Sequence, residues 1–229
     1  MGTDSLDVVA TTATGKDTTI NVSGVTGAET VNITGSDGKN TITGTAGVDT
    51  ITGAEGLDTI AGGAGQDNFV IASSADAGAG EKYTDFVAGA AGDVFNFTKA
   101  TIVNGAATTS DGATALAVDT TGGGTTDTDN TDVLLFTGAS YADTTALLAA
   151  ANGANGVGEG SDGDLDGNSV IAVFHDDTGT DAGTYVAYLT GAADHSADGF
   201  ASATIIAQLS SLDELSDIAD ITADNFTIA

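Results

Sequence analysis

Apolar residues recur at every ninth position in the first third of the chain, separated by glycine and polar residues. Each nine-residue block places a glycine-containing turn before a short segment with one apolar residue, the pattern of a half-buried strand. One block cannot bury its apolar residue alone, whereas stacked blocks bury a continuous column. The pattern therefore predicts a solenoid. The blocks are GSDGKNTIT (Gly35–Thr43), GTAGVDTIT (Gly44–Thr52), GAEGLDTIA (Gly53–Ala61) and GGAGQDNFV (Gly62–Val70), and the column is Ile33, Ile42, Ile51, Ile60 and Phe69.

Glycines and acidic residues occupy fixed positions in these blocks. Glycine is first and fourth in every block, and the sixth position holds Asn40, Asp49, Asp58 and Asp67. Glycine permits tight or left-handed turns that direct carbonyl oxygens toward a common point. Calcium prefers about six to eight hard oxygen ligands, both carbonyl and carboxylate. The spacing therefore predicts calcium sites in the turns.

The blocks resemble the RTX nonapeptide GGxGxDxUx, a calcium-binding repeat. The resemblance implies a parallel β-roll in which two nonapeptides form one turn and calcium lies between successive turns. It pairs the loop of Asp49 with that of Asp67, and the loop of Asn40 with that of Asp58. Only the fourth block has both opening glycines, and Asn40 replaces the aspartate, which implies a weaker site or a terminal half-site. The alternative, a Gly/Thr-rich linker with accidental periodicity, does not account for four consecutive matches.

Both flanks extend the pattern. Upstream, Leu6–Val8, Ile20–Val22 and Val31–Ile33 alternate apolar and polar residues, which predicts strands. The stretch GAETVNITGS (Gly27–Ser36) resembles the ladder rungs of bacterial S-layer proteins that carry RTX blocks. Downstream, YTDFVAGAAGDVFNF (Tyr83–Phe97) resembles the capping strand that follows an RTX roll.

The capping resemblance assigns roles to particular side chains. It implies that Asp85 and Asp93 complete the last calcium sites, and that aromatic side chains close the apolar end of the roll. We expect that closing set to be Phe86, Val94, Phe95 and Phe97.

Two groups of candidate calcium ligands follow. The repeats and the segment after them supply Gly35, Asp37, Asn40, Gly44, Asp49, Gly53, Asp58, Gly62, Gly65, Asp67, Asp85 and Asp93. The second group is Asp162, Asp164 and Asp166, which match the front of an EF-hand loop. Position twelve of that loop is Val173 rather than glutamate, so a solvated acidic turn remains an equal alternative.

The periodicity stops near Thr98, and we expect a small C-terminal α+β domain over residues 98–229, after a roll domain over residues 1–97. Its Gly/Thr/Asp-rich segment over 108–130 is predicted as a loop or an extra acidic site. The other predicted elements are a strand Val133–Phe136, a helix Tyr141–Ala151 with Asp143 or Ser140 as N-cap, a hairpin of Val170–Phe174 and Tyr185–Leu189, a helix Ser210–Ile218 and a terminal strand from Asn225. The predicted fold class is thus mainly β, a parallel β-roll or β-helix solenoid with a small α+β domain.

Charge and composition restrict the partners. The 229 residues contain 33 acidic and 4 basic side chains, a formal net charge of −29, and no cysteine. This excess excludes nucleic acid and disfavours anionic membranes, because no basic patch meets phosphates. Such a charge opposes compaction, so divalent cations that neutralise it couple folding to metal binding. A halophile's acidic surface is the alternative, but it does not predict the repeats.

The sequence has neither an apolar run of about eighteen residues nor a signal-peptide pattern after Met1, which itself reads as the start of a fragment. We therefore expect no membrane insertion, and the RTX resemblance implies secretion through type I export machinery directed by the C-terminal domain. Only His175 and His195 are present, without a zinc or nucleophile motif, so we expect no enzymatic activity.

The sequence favours a calcium-binding structural protein of a bacterial surface layer that folds and self-assembles on calcium binding. Two alternatives remain: the secretion and folding module of an RTX protease or lipase, and a calcium-dependent adhesin.

Overall fold

The computed structural model describes residues 5–10, 15–26, 30–71, 80–97, 116–119, 133–152, 169–178, 182–191 and 200–228. This part of the chain contains fifteen strands, one α-helix and two short 3₁₀ helices. The strands are β1 (Leu6–Val9), β2 (Thr18–Asn21), β3 (Val31–Thr34), β4 (Asn40–Thr43), β5 (Asp49–Thr52), β6 (Thr59–Ala61), β7 (Asn68–Ile71), β8 (Glu81–Tyr83), β9 (Val94–Phe97), β10 (Leu116–Asp119), β11 (Val133–Ser140), β12 (Ser169–Asp176), β13 (Gly183–Gly191), β14 (Phe200–Leu209) and β15 (Phe226–Ile228). The helix is α1 (Thr144–Ala151), and the 3₁₀ helices are Leu215–Asp220 and Ala223–Asn225.

The protein is mainly β, as predicted. From β1 to β9 the chain alternates between two sheets: odd strands form the order β1-β3-β5-β7-β9-β15, and even strands form β2-β4-β6-β8 within a nine-stranded sheet. All pairings among these nine strands are parallel, and Ile33 aligns with Ile51 and Ile42 with Ile60. Aligned residues in neighbouring blocks of one sheet are therefore two nonapeptides apart, which is the pairing that the resemblance implied.

The inward apolar residues of the two sheets form one core. Ile33, Ile42, Ile51 and Ile60 are almost completely buried and belong to a single cluster. Side chains alternate across a strand, so in β5 Ile51 is buried while its neighbours Thr50 and Thr52 are half-buried. The predicted apolar column is confirmed.

Aromatic rings fill the far end of this core. Phe86 stacks on Phe95 with ring centroids 4.9 Å apart, and Phe97 stacks on Phe226 at 6.4 Å. Phe86, Phe95 and Phe97 are buried, whereas Val94 is half-buried.

The two sheets continue beyond these rings. Strand β15 pairs with β9 in parallel, and β14 pairs with β8 in parallel. Strands from the C-terminal half therefore extend both of these sheets. The division into domains at position 97 stays a prediction.

The C-terminal half agrees with several predicted elements. The hairpin is present as antiparallel β12 and β13, with Phe174 opposite Tyr185. Helix α1 is capped by Asp143, whose Oδ1 accepts a hydrogen bond from the Ala146 N–H at 2.7 Å. Ser140, the alternative cap, belongs to β11 instead. The terminal strand is present as β15. The helix packs on a second apolar cluster that includes Leu134, Phe136, Leu147 and Phe174.

Other predictions here were wrong. The helix predicted over Ser210–Ile218 is a turn followed by a 3₁₀ helix, Leu215–Asp220. The apolar spacing of three, Leu212, Leu215 and Ile218, matches the three residues per turn of a 3₁₀ helix. Strand β14 was not predicted, because its small residues Ala, Ser and Thr give weak alternation. Strand β10 lies within the segment predicted as a loop. Among the described residues, no helix combines the length and the apolar character needed to span a bilayer.

Candidate metal centre

The sixth residues of the blocks, together with Glu81 and Asp93 from the segment after them, form two buried ladders, one at each edge of the stack. The Asp49 ladder comprises Asp49, Asp67 and Asp93, in the register of β5, β7 and β9. The Asn40 ladder comprises Asn40, Asp58 and Glu81, in the register of β4, β6 and β8. All six side chains are at most 2% exposed. Burial of carboxylates at this density is costly unless positive charge or hydrogen bonds compensate.

The four aspartates of the two ladders reach back to the preceding turn. Asp67 Oδ1 accepts a hydrogen bond from the Asp49 N–H at 2.9 Å, and Asp93 Oδ1 accepts one from the Asp67 N–H at 2.9 Å. On the other ladder, Asp58 Oδ1 accepts from the Asn40 N–H at 2.7 Å. The first bond of the Asp49 ladder runs from the Val31 N–H to Asp49 Oδ1 at 3.2 Å. The structure thus pairs Asp49 with Asp67 and Asn40 with Asp58.

The first glycine of a block gives its carboxylate room beside the loop. A Cβ added to Gly44 would lie 2.2 Å from the Gly62 carbonyl oxygen and 2.6 Å from Asp49 Oδ2. A Cβ added to Gly62 would lie 2.2 Å from Asp67 Oδ2. Both distances are far below van der Waals contact, so only glycine allows the carboxylate and the stacked carbonyl to approach the loop backbone.

The fourth glycine serves the stacking of the loops. Gly65 has φ of +126°, and a Cβ there would lie 2.5 Å from the carbonyl oxygen of Gly47 in the loop below. Gly56 has φ of +136°, and a Cβ added there would lie 2.6 Å from the Gly38 carbonyl oxygen. Loop carbonyls therefore form columns beside the buried carboxylates, and this is the donor set of a hard cation such as calcium.

Asp67 has the least compensated charge on the Asp49 ladder. Within the described residues, its Oδ2 is buried and accepts no hydrogen bond. Burial raises the pKa of Asp67 to about 7; the Asp49 N–H opposes this, and the charges of Asp93, Asp49 and Asp85 add to it. Burial likewise raises the pKa of Asp93, against hydrogen bonds from the Asp67 and Val87 N–H groups. A bound cation would relieve both effects, so the residues present fit calcium.

A family model for the RTX calcium-binding nonapeptide repeat matches residues 34–69 with four copies. Residues 34–69 are RTX repeats. The match confirms the resemblance and supports calcium as the ion that these turns bind. Comparisons with curated proteins and with solved structures gave no match.

The RTX repeats supply carbonyl as well as carboxylate oxygen. Among the residues described, no three histidine, aspartate or glutamate side chains converge as a ready metal site. The carbonyl oxygens stacked against Gly44, Gly56 and Gly65 are backbone oxygens available to a calcium site in these repeats.

Asp85, which follows the RTX repeats, contacts the last loop directly. Its Oδ1 and Oδ2 accept hydrogen bonds from the N–H groups of Gly62 and Gly63, both at 2.9 Å. In the second repeat, the residue that corresponds to Gly63 is Thr45. Its N–H group donates instead to an acid of its own block, Asp49 Oδ2, at 2.5 Å. The carboxylate predicted to complete the last site thus lies against that loop.

One ladder member, Glu81, was missed by the sequence analysis. Its register places it directly after Asp58, and the Tyr83 hydroxyl donates a hydrogen bond to its carboxylate. The available signal was the acid–polar–apolar triplet Glu81-Lys82-Tyr83, which matches Asp58-Thr59-Ile60. An insertion between β7 and β8 breaks the nine-residue spacing and conceals it.

The remaining candidates fall into three groups. Gly35 and Gly53 contact their ladders: an added Cβ would lie 2.9 Å from Asn40 Nδ2 at Gly35 and 2.4 Å from Asp58 Oδ2 at Gly53. Asp37 is exposed at the third position of its loop. Asp162, Asp164 and Asp166 lie outside the described residues.

Proposed function

We propose that Leu6–Phe97 forms a parallel β-roll that binds calcium through its RTX repeats, and that calcium makes this roll stable. The observation that carries the proposal is the buried Asp67 carboxylate, with one oxygen bonded to the Asp49 N–H and the other without a hydrogen bond among the described residues. A carboxylate in this state stabilises a fold only when a proton or a cation balances it.

Calcium supplies positive charge and accepts several oxygen ligands at once. On one edge of the stack, neighbouring carboxylates such as those of Asp49 and Asp67 would hold it together with loop carbonyls such as those of Gly47 and Gly62. The protein's own part is to present these oxygens: the glycines admit them, and the N–H bonds from the preceding turn fix the carboxylate orientations.

The formal net charge of −29 makes this coupling strong. Without cations, the carboxylates of one ladder repel each other across adjacent turns. With calcium, the same groups become shared ligands that tie the turns together, so binding free energy becomes folding free energy.

For the whole protein, we propose a structural and non-enzymatic role outside the cell, in a calcium-dependent surface layer after type I export. Support comes from the RTX repeats, which are typical of secreted proteins, and from β3. This strand lies within the stretch that resembles S-layer ladder rungs and pairs with β5 of the repeats.

Isothermal titration calorimetry on the full chain, stripped of metal at pH 7.5, tests the calcium proposal. We expect saturable calcium binding that magnesium does not reproduce, because magnesium requires a smaller and more regular shell. Absence of calcium heat would contradict it.

Light scattering in the same titration separates the structural roles. Growth into ordered arrays at saturating calcium supports the surface-layer role, and electron microscopy verifies the order. A chain that folds with calcium and stays monomeric instead supports an exoenzyme module or an adhesin.

A further inference from the structure

The side-chain amide of Asn40 is completely buried and faces a cage of oxygens. The cage is built from two loops of neighbouring turns and from the carboxylate of the next ladder member. The oxygens around Asn40 Nδ2 are those of the Ser36 carbonyl at 2.8 Å, the Gly38 carbonyl at 2.6 Å, the Gly53 carbonyl at 3.1 Å and Asp58 Oδ1 at 3.0 Å.

The orientation of this amide follows from its hydrogen bonds. Asn40 Oδ1 accepts from the Ser36 N–H at 3.1 Å and from the Ser36 hydroxyl at 2.9 Å. The opposite orientation would turn Oδ1 toward the four cage oxygens and would turn Nδ2 toward the Ser36 N–H. Both changes place like partial charges together, so the N–H₂ group must face the cage.

Asp49 stands at the same position of the next repeat and shows what an acid does there. Its Oδ2 accepts from the Thr45 N–H at 2.5 Å, the counterpart of the bond from the Ser36 N–H to Asn40 Oδ1. The two side chains share this bond, but Asp49 Oδ1 accepts from the Thr45 hydroxyl at 3.0 Å and from the Val31 N–H at 3.2 Å, whereas Asn40 Nδ2 donates to the cage oxygens. They differ at the second terminal atom, which is a carboxylate oxygen in Asp49 and a hydrogen-bond donor in Asn40.

We propose that Asn40 replaces a calcium ion: its amide N–H₂ group supplies the positive end that the oxygen cage requires. This inference rests on the proposed calcium function. It makes the first RTX repeat a metal-free end of the Asn40 ladder, so that Asn40 sets the number of ions the roll binds.

The substitution N40D tests this role. An oxygen in place of Nδ2 would stand about 3 Å from three carbonyls and from the Asp58 carboxylate, which repel it unless a cation lies among them. The variant is therefore expected to gain one calcium site and to lose stability in chelator. The surface variant N21D is the control, because it makes the same chemical change at an exposed residue of β2.

Equilibrium dialysis followed by elemental analysis of the full chain counts the bound calcium. At a concentration that saturates the wild type, we expect N40D to hold one more calcium per chain, and N21D to hold the wild-type number. A wild type that binds calcium while N40D shows no gain overturns the role of Asn40 and leaves the proposed function standing. A wild type that binds none overturns the proposed function itself.

The reciprocal variant D49N covers the case in which N40D folds poorly. It converts an acid at the equivalent position into an amide, so we expect it to bind fewer calcium ions than the wild type. Retention of the full number in D49N also overturns the proposal.

Discussion

The Asp67 carboxylate accepts a hydrogen bond from the Asp49 backbone N–H, 18 residues earlier, at 2.9 Å. The interval is two RTX repeats, so each acid completes the turn that precedes its own. The same carboxylate keeps its other oxygen buried and, among the described residues, without a hydrogen bond. One side chain thus joins two turns and offers a ligand, which is the basis for the proposed link between folding and calcium.

Substitution of Asp67 by asparagine removes the charge and keeps the shape. We expect D67N to raise the calcium concentration at the folding midpoint by about tenfold, which corresponds to ~1.4 kcal/mol. Far-UV circular dichroism during a calcium titration measures the midpoint. The matched control is D37N, since Asp37 is exposed in a loop of the same repeats. An equal shift in both variants would show that only general charge matters, and it would contradict a specific ligand role for Asp67.

The pKa of Asp67, raised from 3.8 to about 7, predicts how pH acts on the metal-free chain. The folded state binds this proton more tightly than the unfolded state, so its stabilising effect is complete below pH 3.8 and disappears as pH rises through about 7. In chelator we therefore expect more β-structure at pH 5 than at pH 8, with a limiting slope of about 1.4 kcal/mol per pH unit for this proton.

We expect calcium to reverse this pH dependence, because protons would compete with the ion for the same carboxylate. Calcium affinity, measured by calorimetry, should fall as pH drops below about 7. The variant D67N separates this proton from the change in net charge. If D67N shows the same pH profile as the wild type, Asp67 is not the titrating group.

Alanine in place of Gly44 tests the close approach of the loops. Its Cβ would stand 2.2 Å from the backbone oxygen of Gly62, so we expect G44A to lose about 1–3 kcal/mol of stability in saturating calcium. In contrast, nothing lies within 4 Å of a Cβ at Gly24, and G24A should stay within about 1 kcal/mol of the wild type. Urea denaturation measures both, and equal stabilities would refute the stacked-loop geometry.

Ala54 has φ of +69°, in the left-handed region that favours glycine. It occupies the second position of its repeat, where the fourth repeat has Gly63 with φ of +103°. Relief of this strain exceeds the added chain entropy of glycine, so we expect A54G to stabilise the roll by about 0.5–1 kcal/mol.

The control for A54G is A46G, in a loop of the same kind. Ala46 has no positive φ, so A46G gains only unfolded-state entropy and should be destabilised by up to about 1 kcal/mol. Equal losses of urea resistance in both variants would contradict the strain at Ala54.

Most features of the candidate site could be predicted from the repeats. Nine-residue spacing places Asp49 and Asp67 on one edge because the strand period and the glycine turns are both local properties. Glu81 was not predicted, because an insertion before it breaks the nine-residue spacing. Strand β14, which pairs with β8 of the repeat-bearing sheet, follows from pairing between distant segments that no local pattern encodes. The cage around Asn40 could not be foreseen either, since it forms from loops of two different turns.

The most direct test of the account is far-UV circular dichroism of the full chain at pH 7.5, first in chelator and then through a calcium titration. We predict a weakly structured chain in chelator and a cooperative gain of β signal with calcium, which further chelator reverses. Equal β-structure in chelator and in saturating calcium, together with no calcium binding in the same sample, would contradict the claim that calcium stabilises the roll.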